Sequence, residues 1–563
     1  MPRIGVFICH CGHNIASVVD VEKVVEFAKS LPNVVFASHN LYSCSEEGLG
    51  AIRKSIEENR LDRVVVAACT PRTHEPLFRR NCERAGVNKY LFEFVNIREH
   101  CSWIHAKEPE AATRKAMNLV AMGVAKAGLL DPQTEGESSV IPVALVIGGG
   151  IAGLAAAASL VSQGIETHLV EKQPMLGGML NEIPTVGPEM VESKKLVDVY
   201  RKIVEHSPKA HLHLSSRVSS LSGFIGNFEA TIRGEKCDEK VKVGAIIVAT
   251  GGREFLPKGE YGYGSLPGVM TQLELERKLA KGEVPRKVVM IQCVGSRQPG
   301  REYCSRVCCN ASIKNAIRIL EATPDAQVSV LHRDIMSYGT AAERAYRTAS
   351  EMGARFFRYT LEKPPSVKSK DGGLAVEFFD ETLDEFVSLD ADAIVLATPI
   401  VSVEDVKEIA KMLKVPVDKH GFFLEAHVKL RPVEFATEGI FICGSARWPS
   451  TVSECIAQGL AAAAKASIPI REGKVIIEPI TAWSDPEKCI ACGNCVVACP
   501  YEAIELVTVE GKRKAKVNEA KCKGCGNCVA ACHNDAMQQK GFGTRQLGAM
   551  IDALINNALE VSQ

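Results

Sequence analysis

The chain has 563 residues, too many for one hydrophobic core, and its 67 Lys plus Arg balance 67 Asp plus Glu. This multidomain protein therefore lacks the basic field that a nucleic-acid partner would want. Its 21 cysteines come without a basic leader, apolar stretch and small-residue cleavage site, which argues against a secreted disulfide scaffold and for a reducing, cytoplasmic setting.

Residues 1–130 alternate short apolar runs with amphipathic stretches. Strands are expected at Arg3 to Ile8, Val34 to Ala37, Arg63 to Ala68 and Tyr90 to Val95, and helices at Val21 to Ser30, Glu46 to Asn59 and Pro109 to Ala127. The alternation predicts a parallel sheet with covering helices, an α/β domain. Cys9 and Cys11 follow the first strand, Cys44 the second, Cys69 the third and Cys101 the fourth. In a parallel sheet those strand ends share one edge, so Cys11, Cys44, Cys69 and Cys101, with Cys9 as the alternate, are candidate ligands of one cluster. The competing reading is that they are small buried hydrophobes, as Cys82 inside its helix is expected to be.

Residues 131–141 are polar and turn-rich and read as a linker. Val140 to Val161 is uncharged, but Pro142 and the glycines in its middle fit strand, turn and helix rather than a membrane span. No transmembrane segment is expected. The strand Val143 to Ile147 leads into Gly148-Gly-Gly150-Ile-Ala-Gly153, a helix to Gln163 and a strand from Thr167 to Val170 that ends at Glu171. Gly148 allows the tight turn, Gly150 lets backbone approach a pyrophosphate, Gly153 brings helix against strand, and Glu171 is placed for ribose hydroxyls. This is a dinucleotide site. Gly177-Gly178, the strand Ala245 to Thr250-Gly251-Gly252, and Gly439 to Gly444-Ser445 followed by a helix are features of disulfide-reductase-type flavoproteins, which favours FAD. The expected FAD-binding set is Gly148, Gly150, Ile151, Ala152, Gly153, Glu171, Lys172, Gly177, Gly178, Thr250, Gly251, Gly444 and Ser445.

A second dinucleotide-type unit follows, with strand Lys287 to Ile291, a helix from about Ser312 to Ala322 and strand Gln327 to Leu331. Its turn reads Gln292-Cys293-Val294-Gly295-Ser296-Arg297, which lacks the closely spaced glycines of a pyridine-nucleotide site. In their place stand Cys293, Cys304, Cys308 and Cys309, enough thiolates for a 4Fe-4S cluster. The alternative is a Cys308-Cys309 redox disulfide. Lys314, one turn into the helix, would set a cation beside the flavin or cluster and is the catalytic candidate. Its alternative is a solvated helix-face lysine.

Near the C-terminus, Cys489-x2-Cys492-x2-Cys495-x3-Cys499-Pro500 is followed by Cys522-x2-Cys525-x2-Cys528-x3-Cys532. Three thiolates two residues apart wrap one cluster while the fourth closes the other. Cys489, Cys492, Cys495 and Cys532 are expected to hold one 4Fe-4S cluster, and Cys522, Cys525, Cys528 and Cys499 the second. Zinc fits this spacing poorly, since each zinc needs only four ligands and the third cysteine step would be surplus. The expected order is an N-terminal α/β domain over 1–130, a linker, an FAD-binding thioredoxin-reductase-like domain over 142–470, a two-cluster ferredoxin domain over 471–540 and a helical tail over 541–563.

On these residues the chain resembles, nearly end to end, the flavin-bearing A subunit of heterodisulfide reductase and its relatives in sulfate reducers. The resemblance rests on Cys9-His-Cys11-Gly12, Cys69-Thr-Pro-Arg, Ile97-Arg-Glu-His-Cys101-Ser-Trp103, the FAD fingerprint, the Cys293 to Cys309 block and the ferredoxin pair. It implies an iron-sulfur flavoprotein oxidoreductase in a larger, dimeric complex. The implied partners are a hydrogenase or formate dehydrogenase module as donor, B and C subunits that reduce a disulfide, and ferredoxin as a second acceptor through electron bifurcation. Long members carry another ferredoxin domain within the flavin domain, whereas here Cys237-Asp-Glu-Lys runs straight into the Ala245 strand, which leaves bifurcation open. Ser445 stands where related flavoproteins commonly place an aspartate. An NAD(P)H-dependent subunit with appended ferredoxin is one alternative, opposed by the missing second fingerprint. A pure electron-transfer scaffold is another, which bound flavin would exclude.

Overall fold

The four apolar runs at the N-terminus form strands Ile4–Cys9, Val34–Asn40, Arg63–Ala68 and Phe92–Asn96, all parallel, in the spatial order second, first, third, fourth. The computed structural model describes residues 1–234, 238–370, 373–509 and 511–561. Every residue of the first strand is buried because helices cover both faces of its sheet. Ile4, Val6 and Ile8 meet Val21, Val24 and Ala28 on one side, and Phe7 and Cys9 meet Leu49, Ile52 and Ile56 on the other. The two covering helices, Val21–Ser30 and Glu46–Glu58, start where the side chains of Asp20 and Ser45 accept from Lys23 N and Gly48 N. Cys82 packs in the same core, 1% exposed.

Residues 1–137 and 476–563 group into one compact unit and 138–475 into another. The C-terminal helix Thr544–Val561 packs on Pro109–Gly128, with Gln546 Nε2 donating to the Leu129 carbonyl at 3.1 Å. The Lys126 ammonium lies 3.5 Å from the centre of the Phe542 ring and pairs with Glu93 at 2.8 Å. The two ends of the chain therefore share one unit. Within it the cysteine-rich segment is held by the antiparallel pair Ala482–Ser484 with Met537–Gln539 and the hairpin Ile504–Val509 with Lys512–Val517.

The other unit is a doubled design. One five-stranded parallel sheet runs Ala210–His213, Glu166–Val170, Val143–Ile147, Ala245–Val248, Ile440–Ile442, and a second runs Val269–Thr271, Ala393–Leu396, Lys287–Ile291, Gln327–His332, Arg355–Arg358. Each is interrupted in sequence by a three-stranded antiparallel sheet, Arg217–Phe224 to Asp238–Val243 before the Ala245 strand and Ser366–Lys370 to Glu385–Ala391 before the Ala393 strand. Asp238–Val243 leads directly into Ala245–Val248, while Cys237 lies outside the described residues. The helices Ile151–Ser162 and Val452–Glu472 press together at Gly459, where a Cβ would sit 2.4 Å from the Ala152 carbonyl oxygen. The stretch expected to be a plain linker contains a short strand, Gly136–Ser139. Among the described residues no helix is long and apolar enough to cross a membrane.

Candidate flavin and iron-sulfur sites

The glycine turn after Val143–Ile147 divides its labour by position. Gly148 has φ of 110°, and a Cβ there would meet the Ala249 carbonyl oxygen at 2.3 Å; at Gly153 it would meet the Gly148 carbonyl oxygen at 1.9 Å. At Gly150 a Cβ would meet nothing within 4 Å. The first and third glycines therefore serve the protein's own packing, and Gly150 opens onto free space at the N-terminus of the Ile151–Ser162 helix, where a phosphate is favoured. Glu171 is 7% exposed and accepts from Gly149 N at 2.6 Å and Gln173 N at 2.8 Å.

Around the same turn, Gly177 N donates to the Gly149 carbonyl at 2.9 Å, and a Cβ at Gly178 would lie 3.1 Å from Gly150 Cα. Thr250 Oγ1 is buried without a partner among the described residues, and Gly251 after it takes a φ of 70°. An orphaned hydroxyl and an open glycine cradle fit a bound dinucleotide. Gly444 N donates to Gln458 Oε1 at 2.9 Å, Ser445 Oγ lies 3.9 Å from Cys455 Sγ, and Ile151 and Ala152 are buried in the helix start. Lys172 turns outward, half-exposed and 3.8 Å from Asp405.

In the second sheet, Cys293 with φ of 62° stands immediately after the Lys287–Ile291 strand and its Gln292, where a nucleotide phosphate loop would begin. The helix starts at Cys308, a turn earlier than expected, so Cys308 and Cys309 occupy its first turn. The Cys308 thiol is raised by its hydrogen bond to Cys309, then by burial and by the charges of Cys309, Cys293 and Cys304. Arg297 Nη1 lies 3.9 Å from Cys293 Sγ, and Arg333 Nη2 donates to the Cys293 carbonyl at 3.4 Å. These arginines offset the negative charge that four thiolates and a cluster would bring.

Lys314 is not a solvated lysine. Its side chain is 3% exposed, its ammonium pairs with Glu276 and donates to the Thr185 carbonyl at 2.9 Å, and burial lowers its pKa against the pull of Glu276. Apolar neighbours on the buried helix face carry it inward. Thr185 and Gly187, which lies against the Lys314 stem, follow Gly177 and Gly178 in the chain, so the helix that begins at Cys308 touches that segment through Lys314.

At the N-terminal sheet edge the structure brings together Cys9, Cys11, Cys44 and Cys69. Burial pushes the Cys69 thiol up to about 11, with Arg98 opposing and Cys11, Cys44 and Cys9 adding to the rise. Burial, then Cys9, likewise raises Cys44. Cys11 N and Ser43 N donate to Cys9 Sγ at 3.3 and 3.4 Å, and Arg98 Nη1 donates to Cys11 Sγ at 3.5 Å. Cys101 lies elsewhere. It is fully buried with Ile8, Ile15 and Ala116, because the π-helical turn Arg98–Ser102 rotates it into the core while Arg98 faces the thiols.

In the C-terminal module one cavity is lined by Cys489, Cys492, Cys495 and Cys532. Burial raises Cys528 to about 11, and Cys522, Cys499 and Cys525 add to it, so the exchanged fourth cysteine is found on both sides. The two halves match: Ala503 N donates to Cys499 Sγ and Ala536 N to Cys532 Sγ, each at 3.3 Å. Such amide donors to sulfur stabilise the added electron of a reduced cluster. Sequence reasoning missed Arg98, Arg297, Arg333 and Glu276. Arg98 and Arg297 lie within the motif segments and were visible there, whereas Arg333 and Glu276 carry no local signal.

Two nucleotide-type sheets, one with cysteines in place of a phosphate loop, together with a two-cluster module define an iron-sulfur flavoprotein oxidoreductase. Residues 143–459 match the family described as pyridine nucleotide-disulphide oxidoreductase, and 488–536 match the 4Fe-4S dicluster domain. The chain belongs to the family of heterodisulfide reductase A subunits. It is 39% identical to the A subunit of the H(2):CoB-CoM heterodisulfide,ferredoxin reductase of Methanothermobacter marburgensis, over 99% of this chain and 98% of that protein. That alignment spans 655 positions against 563 residues here, so the relative has stretches without a counterpart in this chain. It is 34% identical to the A subunit of the H(2)/formate:CoB-CoM heterodisulfide,ferredoxin reductase of Methanococcus maripaludis, over 99% of each. Among solved structures, T. acidophilum thioredoxin reductase is similar with 15% identity and a TM-score of 0.42, covering 58% of this chain and 98% of that one.

Proposed function

We propose that this chain is the electron-distributing member of a heterodisulfide-reductase-type complex. It would receive electrons from a hydrogenase- or formate-dehydrogenase-type module and deliver them to B- and C-type subunits that reduce a disulfide, with ferredoxin as the second acceptor if bifurcation operates. The names of the relatives, which pair hydrogen or formate with a heterodisulfide and ferredoxin, support this reading. The single observation that carries it is the placement of Cys293 directly after the Lys287–Ile291 strand and its Gln292, and of Cys308 and Cys309 in the first turn of the following helix, where a pyridine-nucleotide enzyme keeps its phosphate loop.

Bound FAD would supply exchange between electron pairs and single electrons, and the clusters single-electron conduction. The chain's own residues do the rest. Gly150 and the following helix N-terminus hold the pyrophosphate, Glu171 the ribose, and the buried Lys314 places a cation near the segment that follows Gly178. Cys9, Cys11, Cys44 and Cys69 hold one cluster, the Cys293 block a second, and the ferredoxin cysteines two more. Replacing Cys308 and Cys309 by serine tests the reading. FAD should stay bound and reducible by the donor module, iron should fall by about four per chain at one 4Fe-4S per four thiolates, and disulfide reduction should stop. Unchanged iron and turnover would overturn it, and rapid flavin bleaching by NADH alone would move the chain to an NAD(P)H-dependent class.

A further inference from the structure

Away from every cysteine, the edge of the flavin sheet carries three histidines and one glutamate, with a second glutamate beside them. Strands Glu166–Val170 and Ala210–His213 pair in parallel with His211 opposite His168. Side chains alternate along a strand, so Glu166 and His168 share a face, and His211 and His213 share the same face of the neighbouring strand. Glu239 reaches this group from the antiparallel sheet, its Oε2 lying 3.7 Å from His213 Nδ1.

The contacts are close. His168 Nδ1 lies 2.9 Å from His213 Nε2, and His211 Nε2 lies 3.0 Å from Glu166 Oε1. The His168 ring stacks on both other rings, with centroids 4.7 and 5.2 Å apart. In Glu166-His168-His211, and again in His168-His213-Glu239, three ligand atoms lie within 4.8 Å of one another. A tetrahedral zinc ion with bonds of about 2.0 to 2.1 Å separates its ligand atoms by roughly 3.3 Å. The atoms of each triad, already within 4.8 Å of one another, would have to draw together by side-chain rotation to reach that spacing.

We propose that His168, with Glu166 and His211 on one side and His213 and Glu239 on the other, forms a site for one divalent transition-metal ion of the zinc class, held through either triad with a solvent molecule completing the shell. The donor set selects the ion. Imidazoles with carboxylate suit zinc, nickel or cobalt, whereas calcium and magnesium demand all-oxygen shells and soft cuprous ion demands sulfur. The carboxylates of Glu166 and Glu239 neutralise the charge, and every ligand sits on a strand, which holds geometry better than a loop. The site also adjoins Glu171 of the proposed flavin site. Glu171 N donates to the His213 carbonyl at 2.9 Å, so a cation joining the two strands fixes the position from which Glu171 reaches the dinucleotide. Its role is structural support of the flavin sheet, separate from the clusters.

The test uses holoprotein loaded with FAD and clusters, washed with a weak chelator, supplied with zinc under anaerobic conditions and dialysed. Retained zinc is counted by mass spectrometry and its neighbours read by zinc-edge X-ray absorption. The expected result is one zinc per chain with a nitrogen and oxygen shell. His168→Gln, or the more exposed double variant His211→Gln/His213→Gln, should weaken zinc at least about tenfold with iron and flavin unchanged. Such a loss in either variant supports the site. A parent that holds no zinc, a shell containing sulfur, or undiminished zinc in both variants would overturn it.

Discussion

The amide of Gly149 donates to Glu171 Oε2 at 2.6 Å, which ties the glycine turn to the end of the neighbouring strand. The same carboxylate accepts from Gln173 N through its other oxygen at 2.8 Å. Glu171 thus supports the turn in addition to the ribose-binding role proposed for it. Glu171→Gln removes the charge and turns an amide nitrogen toward one of two backbone donors. This should cost about 1 to 3 kcal/mol, or roughly five- to 150-fold in FAD affinity, read by flavin fluorescence titration.

Gly150 and Gly153 should fail in different ways. The Cβ of Gly150→Val enters open space meant for phosphate, so the chain should fold with normal apoprotein stability yet elute without FAD. The Cβ of Gly153→Ala meets backbone at 1.9 Å, so that variant should lose about 1 to 3 kcal/mol or more of stability whether or not FAD is present. Apoprotein denaturation curves and flavin content together separate the two. Equal stability losses would contradict the division of roles.

Iron content tests which N-terminal thiols act together. Four clusters give about 16 iron per chain. Cys44→Ser and Cys69→Ser should each lower this by about four, while Cys101→Ser, in the apolar core, should leave iron unchanged and cost stability instead. A fall in iron for Cys101→Ser and none for the other two would reverse the assignment.

Lys314 and Glu276 form a buried pair whose members are unequally supported. Glu276 also pairs with Arg318 at 3.2 Å, whereas Lys314 has the Thr185 carbonyl at 2.9 Å. Glu276→Gln therefore leaves two cations facing a neutral group and should cost about 3 to 5 kcal/mol. Lys314→Met leaves Glu276 with Arg318 and should cost less, about 1 to 3 kcal/mol. Denaturant midpoints of the two variants give the order, and a larger loss for Lys314→Met would refute it.

Much of this protein is legible in order along the chain. The helix at Val21–Ser30 and the strands at Arg63–Ala68, Val143–Ile147 and Lys287–Ile291 are read with the bounds the structure has, because apolar period and caps are local. The ferredoxin spacing and the glycine turn are also local, since their geometry depends on residues a few positions apart. Other features only the tertiary structure decides. Cys9 joins the thiols and Cys101 leaves them because one π-helical turn after Phe92–Asn96 aims a side chain, and periodicity does not carry that rotation. Glu276 meets Lys314, and His168 meets His211 and His213, through helix packing and strand register between distant segments. The union of residues 1–137 with 476–563 is of the same kind: complementary surfaces on helices more than 400 residues apart join them, as at Gln546 and Leu129. Spacing within a segment fixes which residues can share a ligand, but register and packing between segments fix which ones do.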